Sequence, residues 1–111
     1  MRKTEQQSLL RVFLEEGDKF EGKPAYQYLM EYLRKHDFAG ATVLRGIEGY
    51  GRSHKMHNAN MLELSTDLPI VIEIIDTIEN IGRLKDDLEA SGIINGVLLT
   101  EEKVTVMRFG V

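Results

Sequence analysis

Apolar positions along the chain switch between a period of two and a period of three to four, and the switches divide it into elements. Leu10, Val12 and Leu14 share one face of a strand predicted over Ser8–Glu15. Residues 16–23 hold two glycines and five charges and read as a surface loop. Pro24 stands where a helix favours its first residue, because its missing N–H would be unpaired there anyway. Tyr26, Leu29, Met30 and Leu33 follow at helical spacing, and Lys35 and His36 complement the dipole at the end.

The second half repeats the scheme. A strand is predicted over Ala41–Ile47, then a polar, Gly-led stretch from Gly49 to Asn60 without a period, read as a long loop. Met61–Leu64 is a candidate short strand. Leu68–Ile75 is the strongest strand pattern in the chain, with Pro69 tolerable near its start. Asp76 and Glu79 have capping-box spacing ahead of a helix marked by Ile78, Ile81, Leu84 and Leu88, which should stop at Gly92. Val97–Leu99 and Val104–Met107 form either a hairpin or one bent strand.

The order β-α-β, loop, β-α-β predicts a single α+β domain over residues 1–111: a ferredoxin-like, four-stranded antiparallel sheet with both helices on one face. Two helices cover one face only, yet Ile70–Ile75 is apolar at nearly every position. Its second face therefore needs another subunit, which predicts an oligomer.

Composition narrows the function classes. The 111 residues include no cysteine, which excludes disulfides, thiolate chemistry and cysteine-held zinc. A net charge of −4 with interspersed signs argues against a nucleic-acid partner. No apolar run reaches the roughly 20 residues of a membrane span, and the first residues lack a signal-peptide pattern, so a cytoplasmic location is expected. No Ser-His-Asp, Cys-His or Walker-type constellation is present, and the expectation is a binding protein rather than an enzyme.

Gly40-Ala41-Thr42-Val43-Leu44-Arg45-Gly46-Ile47-Glu48-Gly49-Tyr50-Gly51, followed by Asp67-Leu68-Pro69-Ile70-Val71-Ile72-Glu73, resembles the domain-of-unknown-function one-ninety family of uncharacterised PII-like proteins. The likeness runs from about Leu9 to Val106. It implies a PII-like trimer. More distantly the chain resembles true PII signal proteins, which bind adenine nucleotides in clefts between subunits. Gly49-Tyr50-Gly51-Arg52 looks like their Gly-aromatic-Gly-Arg turn, where glycines let backbone N–H groups approach a phosphate and the Arg adds a forked charge.

The match is incomplete. Of the PII C-terminal Arg-x-Arg-x-Gly, Arg108 and Gly110 are present but Val106 replaces the first Arg. Asn95-Gly96-Val97 lacks the Lys of the PII Gly-Lys pair, so a monophosphate, a cyclic nucleotide or another small anion suits the chain better than a triphosphate. The resemblance thus nominates Arg45, Gly49, Gly51, Arg52, Gly96 and Arg108 as ligand residues of a homotrimer that regulates a partner protein or membrane transporter through a mobile loop. Other readings stay open: a plain turn with a solvated Arg52, an Arg45 that pairs with a carboxylate such as Glu73, and a ligand-free interaction module. His54 and His57, with Glu63, form a further candidate, a metal-binding loop. Three acidic doublets and the tyrosines of the first helix are read as solvated and rim positions.

Overall fold

The computed structural model describes residues 1–50, the backbone of residues 57–58, and residues 68–110. The elements run β1 (Arg2–Glu15), β2 (Lys19–Phe20), β3 (Lys23–Pro24), α1 (Ala25–Lys35), β4 (Ala41–Arg45), β5 (Glu48–Gly49), β6 (His57–Asn58), β7 (Pro69–Asp76), α2 (Ile78–Ser91) and β8 (Leu98–Phe109). The main sheet has the order β4-β7-β1-β8, antiparallel throughout. The two helices pack on one face, as the split βαβ order predicts. Met61–Leu64, the candidate short strand, lies outside the described residues.

The core follows from the strand parity. Leu10, Val12 and Leu14 of β1 and Ile70, Ile72 and Ile74 of β7 turn to the helices, and each is at most 5% exposed. They meet Ala25, Leu29 and Leu33 of α1 and Ile81, Leu84 and Leu88 of α2. Burying each large aliphatic side chain is worth about 1.5–3 kcal/mol. Ile78, assigned by spacing to the helix stripe, is instead 45% exposed as the first residue of α2, and the buried stripe begins at Ile81.

Several boundaries move by one residue or more. Pro24 is the N-cap of α1 rather than its first helical residue, with φ −56° and ψ 134°. The predicted loop between β1 and α1 contains the short ladder β2–β3, turned by Glu21 and Gly22 at φ 49° and 82°. Two consecutive positive φ angles are what a tight hairpin turn needs, and Gly22 supplies one of them without strain. Thr77, not Asp76, caps α2 by accepting the Asn80 N–H at 3.1 Å. Asp76 instead sits 3% exposed beneath the cap, accepting the Ala39 N–H at 2.8 Å, the Thr77 N–H at 2.7 Å and Asn80 Nδ2 at 2.9 Å. Gly92 ends the helix in the left-handed region, φ 81°, as its position predicts.

The last two apolar runs form one strand. β8 pairs with β1 over its whole length, from Leu98 opposite Phe13 to Phe109 opposite Arg2. β1 itself starts six residues before the predicted strand does, at Arg2 rather than Ser8. β7 pairs with it only from Ser8 onward, so Arg2–Gln7 and Val104–Phe109 continue past the sheet as a two-stranded ribbon.

Candidate functional site

The face away from the helices is where the expected oligomer contact would lie. Reading across it, Leu44, Val71, Phe13 and Leu98 form one apolar row at matched register positions. Leu44 is 47%, Phe13 37% and Leu98 63% exposed. The next row is Thr42, Glu73, Arg11 and Thr100. Arg11 Nε donates to Glu73 Oε2 at 2.9 Å, and Arg11 Nη1 donates to Glu102 Oε1 at 2.7 Å. Those hydrogen bonds raise the Arg11 pKa further and keep it charged. β7 is thus covered on one side and open on the other.

The apolar row ends in a cleft of about 460 Å³ at the end of the sheet where β1 and β4 finish and β7 and β8 begin. Phe13, Val71 and Leu98 line it from the open sheet face, Pro69, Gly49 and Tyr50 from the start of β7 and the chain packed on it, and Gly96 from the turn before β8. That packing is set by the chain leaving β4. Gly46 N–H donates to Pro69 O at 2.7 Å, folding residues 46–49 across the start of β7. A Cβ on Gly49 would lie 2.9 Å from Pro69 Cγ, too close for any real side chain, and one on Gly46 would lie 3.3 Å from Pro69 Cβ. Gly49 is therefore required by close packing on Pro69. β5 then pairs with β6, Gly49 opposite His57, so the loop leaves the cleft from a short ladder.

Gly96 has a different cause. Val97 N–H donates to Ile94 O at 2.9 Å, which makes residues 94–97 a reverse turn with Gly96 third and at φ 74°. That position demands a positive φ, so glycine is the residue that fits it.

The structure brings Gly49 and Gly96 to the same cleft but separates the other nominated residues. Arg45 is not in its lining. The β4–β7 register sets Arg45 opposite Ile70 and Thr42 opposite Glu73, so the partner of Arg45 is not Glu73. Its Nη2 donates to Glu16 Oε2 at 2.5 Å, and Glu73 belongs to Arg11. Arg108 lies near the far end of β8, exposed and opposite Lys3. Ten residues separate it from Leu98, about 33 Å at a strand rise of about 3.3 Å. Gly51, Arg52, His54 and Glu63 lie outside the described residues, and of His57 only the backbone is described.

The charge lining the cleft was not foreseen. Glu15, Asp18 and Glu48 stand on it, and no Lys, Arg or His does among the described residues. An apolar, planar group with N–H donors suits such a lining; an isolated phosphate does not. Phe13 and Leu98 escaped sequence reasoning because their meeting depends on the β1–β8 register. Tyr50 was within reach as the aromatic member of the Gly-aromatic-Gly-Arg turn.

A smaller cavity of about 220 Å³ lies between the helices, lined by Tyr32, His36, Phe38, Asn80, Arg83 and two aspartates. Tyr32 Oη donates to Asp87 Oδ2 at 2.5 Å, and its ring stacks on His36 at 4.2 Å. Burial and that hydrogen bond push the Tyr32 hydroxyl up to about 12. Among the described residues no three His, Cys, Asp or Glu side chains are placed to hold a metal ion, and no helix is long and apolar enough to cross a membrane.

Comparison with known proteins bears on this geometry. Residues 7–106 match the family of uncharacterized ACR proteins, domain of unknown function 190. The chain is 40% identical over 94 residues to a UPF0166 protein of Aquifex aeolicus, covering 85% of this chain and 88% of that one. A UPF0166 protein of Methanocaldococcus jannaschii is 38% identical over 91 residues, covering 82% and 83%. Among solved structures, CPII of Thiomonas intermedia K12, bound to ADP and bicarbonate, superposes with a TM-score of 0.68 at 20% identity, covering 96% of this chain and 93% of that one. The sheet order, the helix layer and these similarities agree: the chain has the PII-like, ferredoxin-like fold and belongs to the uncharacterised UPF0166 family.

Proposed function

We propose that this protein is a PII-like sensor, a homotrimer that binds a small ligand, an adenine nucleotide or a related anion, in the cleft between the Gly49 segment and the Gly96 turn. The observation that carries this reading is the cleft itself, which joins the base of the long loop to the turn before β8. Its apolar lining suits a nucleobase, and Glu48 and Asp18 can accept from an exocyclic amino group. Cationic partners for the phosphate come from outside the described lining: Arg52 of the same chain and Arg108 of a neighbouring copy. The relative CPII, solved with ADP and bicarbonate, lends support at the level of fold.

Trimer formation draws on the open sheet face. Leaving Leu44, Phe13, Val71 and Leu98 in water forgoes about 25 cal/mol for each Å² of apolar surface that a neighbour would cover. Ligand binding in such a cleft changes the loop that leaves from β5, and that loop is the surface offered to a regulated protein or transporter. A ligand shifts the loop only as far as it binds one loop state better than the other. No step of chemistry is assigned; the protein acts by binding.

The test is a thermal-shift screen against ATP, ADP, AMP, cyclic nucleotides and divalent metals. A ligand at 100 times its dissociation constant stabilises by about 2.7 kcal/mol, which moves a melting curve visibly. The expected result is a shift with an adenine nucleotide that Arg52→Ala abolishes. No shift with any nucleotide would refute the proposal. A response to zinc or copper alone would transfer the function to His54 and His57.

A further inference from the structure

Asp86 and Asp87 form an acidic doublet that spacing alone assigns to solvent, and Arg83 stands one helical turn before them on α2. Residues three and four apart on a helix are neighbours, with Cβ atoms about 5–6 Å apart, so a solvated face would pair Arg83 with one of the aspartates. Among the described residues it pairs with neither. Arg83 Nη2 donates back to Asn80 Oδ1 instead, and Asn80 Nδ2 donates in turn to the buried Asp76 carboxylate at 2.9 Å. Asp87 is drawn the other way, accepting from the Tyr32 hydroxyl of α1. Asp86 has no ion pair among the described residues.

The space between these groups is the cavity of about 220 Å³ between the helices. Phe38 and the Tyr32–His36 ring pair give it an aromatic side. The volume falls below the roughly 300–1,000 Å³ of sites for drug-sized ligands, which limits an occupant to a small molecule. Charge limits it further. An anion alone would meet Arg83 but face two carboxylates, and a cation alone would meet the carboxylates but face a guanidinium. A small molecule carrying both charges answers both. The cavity lies on the helix side of the sheet, so a neighbour seated on the open face leaves it accessible.

We infer that this cavity is a second binding site, for a free α-amino acid. The carboxylate sits on the Arg83 guanidinium, the ammonium between Asp86 and Asp87, and the side chain against Phe38 and the Tyr32–His36 pair. A guanidinium matches a carboxylate with two parallel N–H···O bonds, which an ammonium of lysine would not supply. Asn80 already holds Arg83 and Tyr32 already holds Asp87, so binding has little left to order. The inference stands apart from the nucleotide cleft, whose lining shares no residue with this cavity.

The experiment is a titration of the ¹⁵N-labelled full chain with each standard L-amino acid, followed by two-dimensional NMR up to about 10 mM. Amino acids with apolar side chains are expected to give saturable shifts at the Asn80, Arg83, Asp86 and Asp87 amides. A dissociation constant of about 1 mM or tighter suits a ligand this small, and the Gly49 and Gly96 amides should stay in place. The matching amine without the carboxylate, and the matching acid without the amino group, should each bind at least about tenfold more weakly. Arg83→Gln and Asp86→Asn, checked for folding by circular dichroism, should reproduce those losses. Should a variant not fold, the two half-molecules on wild type decide alone. No saturable shift with any standard amino acid overturns the site. An acid or amine that binds as tightly as its parent overturns the double-charge recognition. Shifts confined to Gly49 and Gly96 place the amino acid in the other cleft and overturn the inference as well. Nucleotide binding in that cleft survives each of the first two failures.

Discussion

Asp76 illustrates how a single residue holds two elements in place. Its carboxylate is buried at the end of β7, which by itself would raise its pKa. The hydrogen bonds from Ala39, Asn80 and Thr77 outweigh that burial, with a smaller contribution from Arg83, and the net shift is downward. A carboxylate lowered in the folded state contributes fully above its ordinary value of 3.8 and loses that contribution as pH falls through the folded value. Asp76→Ala leaves the Ala39 and Thr77 N–H groups without their acceptor, at a cost of about 2–3 kcal/mol. Urea unfolding at neutral pH should show that loss, and the difference between variant and wild type should shrink as pH drops below about 4. A variant as stable as wild type at neutral pH would contradict the clamp. In sequence, Asp76 was visible as a helix-start residue, but its reach to Ala39 was not, because that contact joins residues 37 positions apart.

At the scale of elements, the helices are tied to one another as well as to the sheet. Tyr32 of α1 donates to Asp87 of α2, and the phenol is held up to about 12 by burial and by that bond. For a phenol raised above its ordinary value of 10.0, the stabilisation is complete below that value and is lost as pH rises through it toward about 12. Tyrosinate absorbance is expected to show one late-titrating tyrosine. Asp87→Asn removes the charge and should bring that midpoint back toward 10. An unchanged midpoint would assign the shift to burial alone. On the sheet, Glu101 makes a similar tie, accepting from Lys85 of α2 at 2.6 Å and from Ser8 of β1 at 2.6 Å. Together these contacts place an acidic doublet member from α2 and another from β8 in specific partnerships. Spacing alone reads such doublets as solvated, because it does not reveal which helix face meets a neighbour.

For the whole molecule, the open sheet face and the cleft are one continuous surface. Phe13 belongs to both, as the centre of the apolar row and as part of the cleft lining. Replacing it by a charge should therefore act on assembly. Phe13→Glu is expected to leave the helix-side core intact, since Phe13 lies on the other face, and to weaken the proposed self-association by about tenfold or more in dissociation constant. Sedimentation at several concentrations measures it. A variant that keeps the wild-type mass at low concentration would place the subunit contact elsewhere.

The order of the main elements, the two helices and their apolar stripes, and the helix stop at Gly92 were legible in the sequence by itself. Each rests on local periodicity or on a backbone conformation that one residue type favours. The resemblance carried by Gly40–Gly51 and Asp67–Glu73 likewise led to the family. What the sequence left open was decided by register. Whether the last two apolar runs were one strand or two, whether Arg45 met Glu73 or Glu16, and whether Phe13 met Leu98 all depend on how strands align across long separations. A shift of one residue there would exchange the faces. The acidic lining of the cleft and the projecting ribbon belong to the same class. Neither has a local pattern, because each is made of residues that only the folded sheet brings to one end of the molecule.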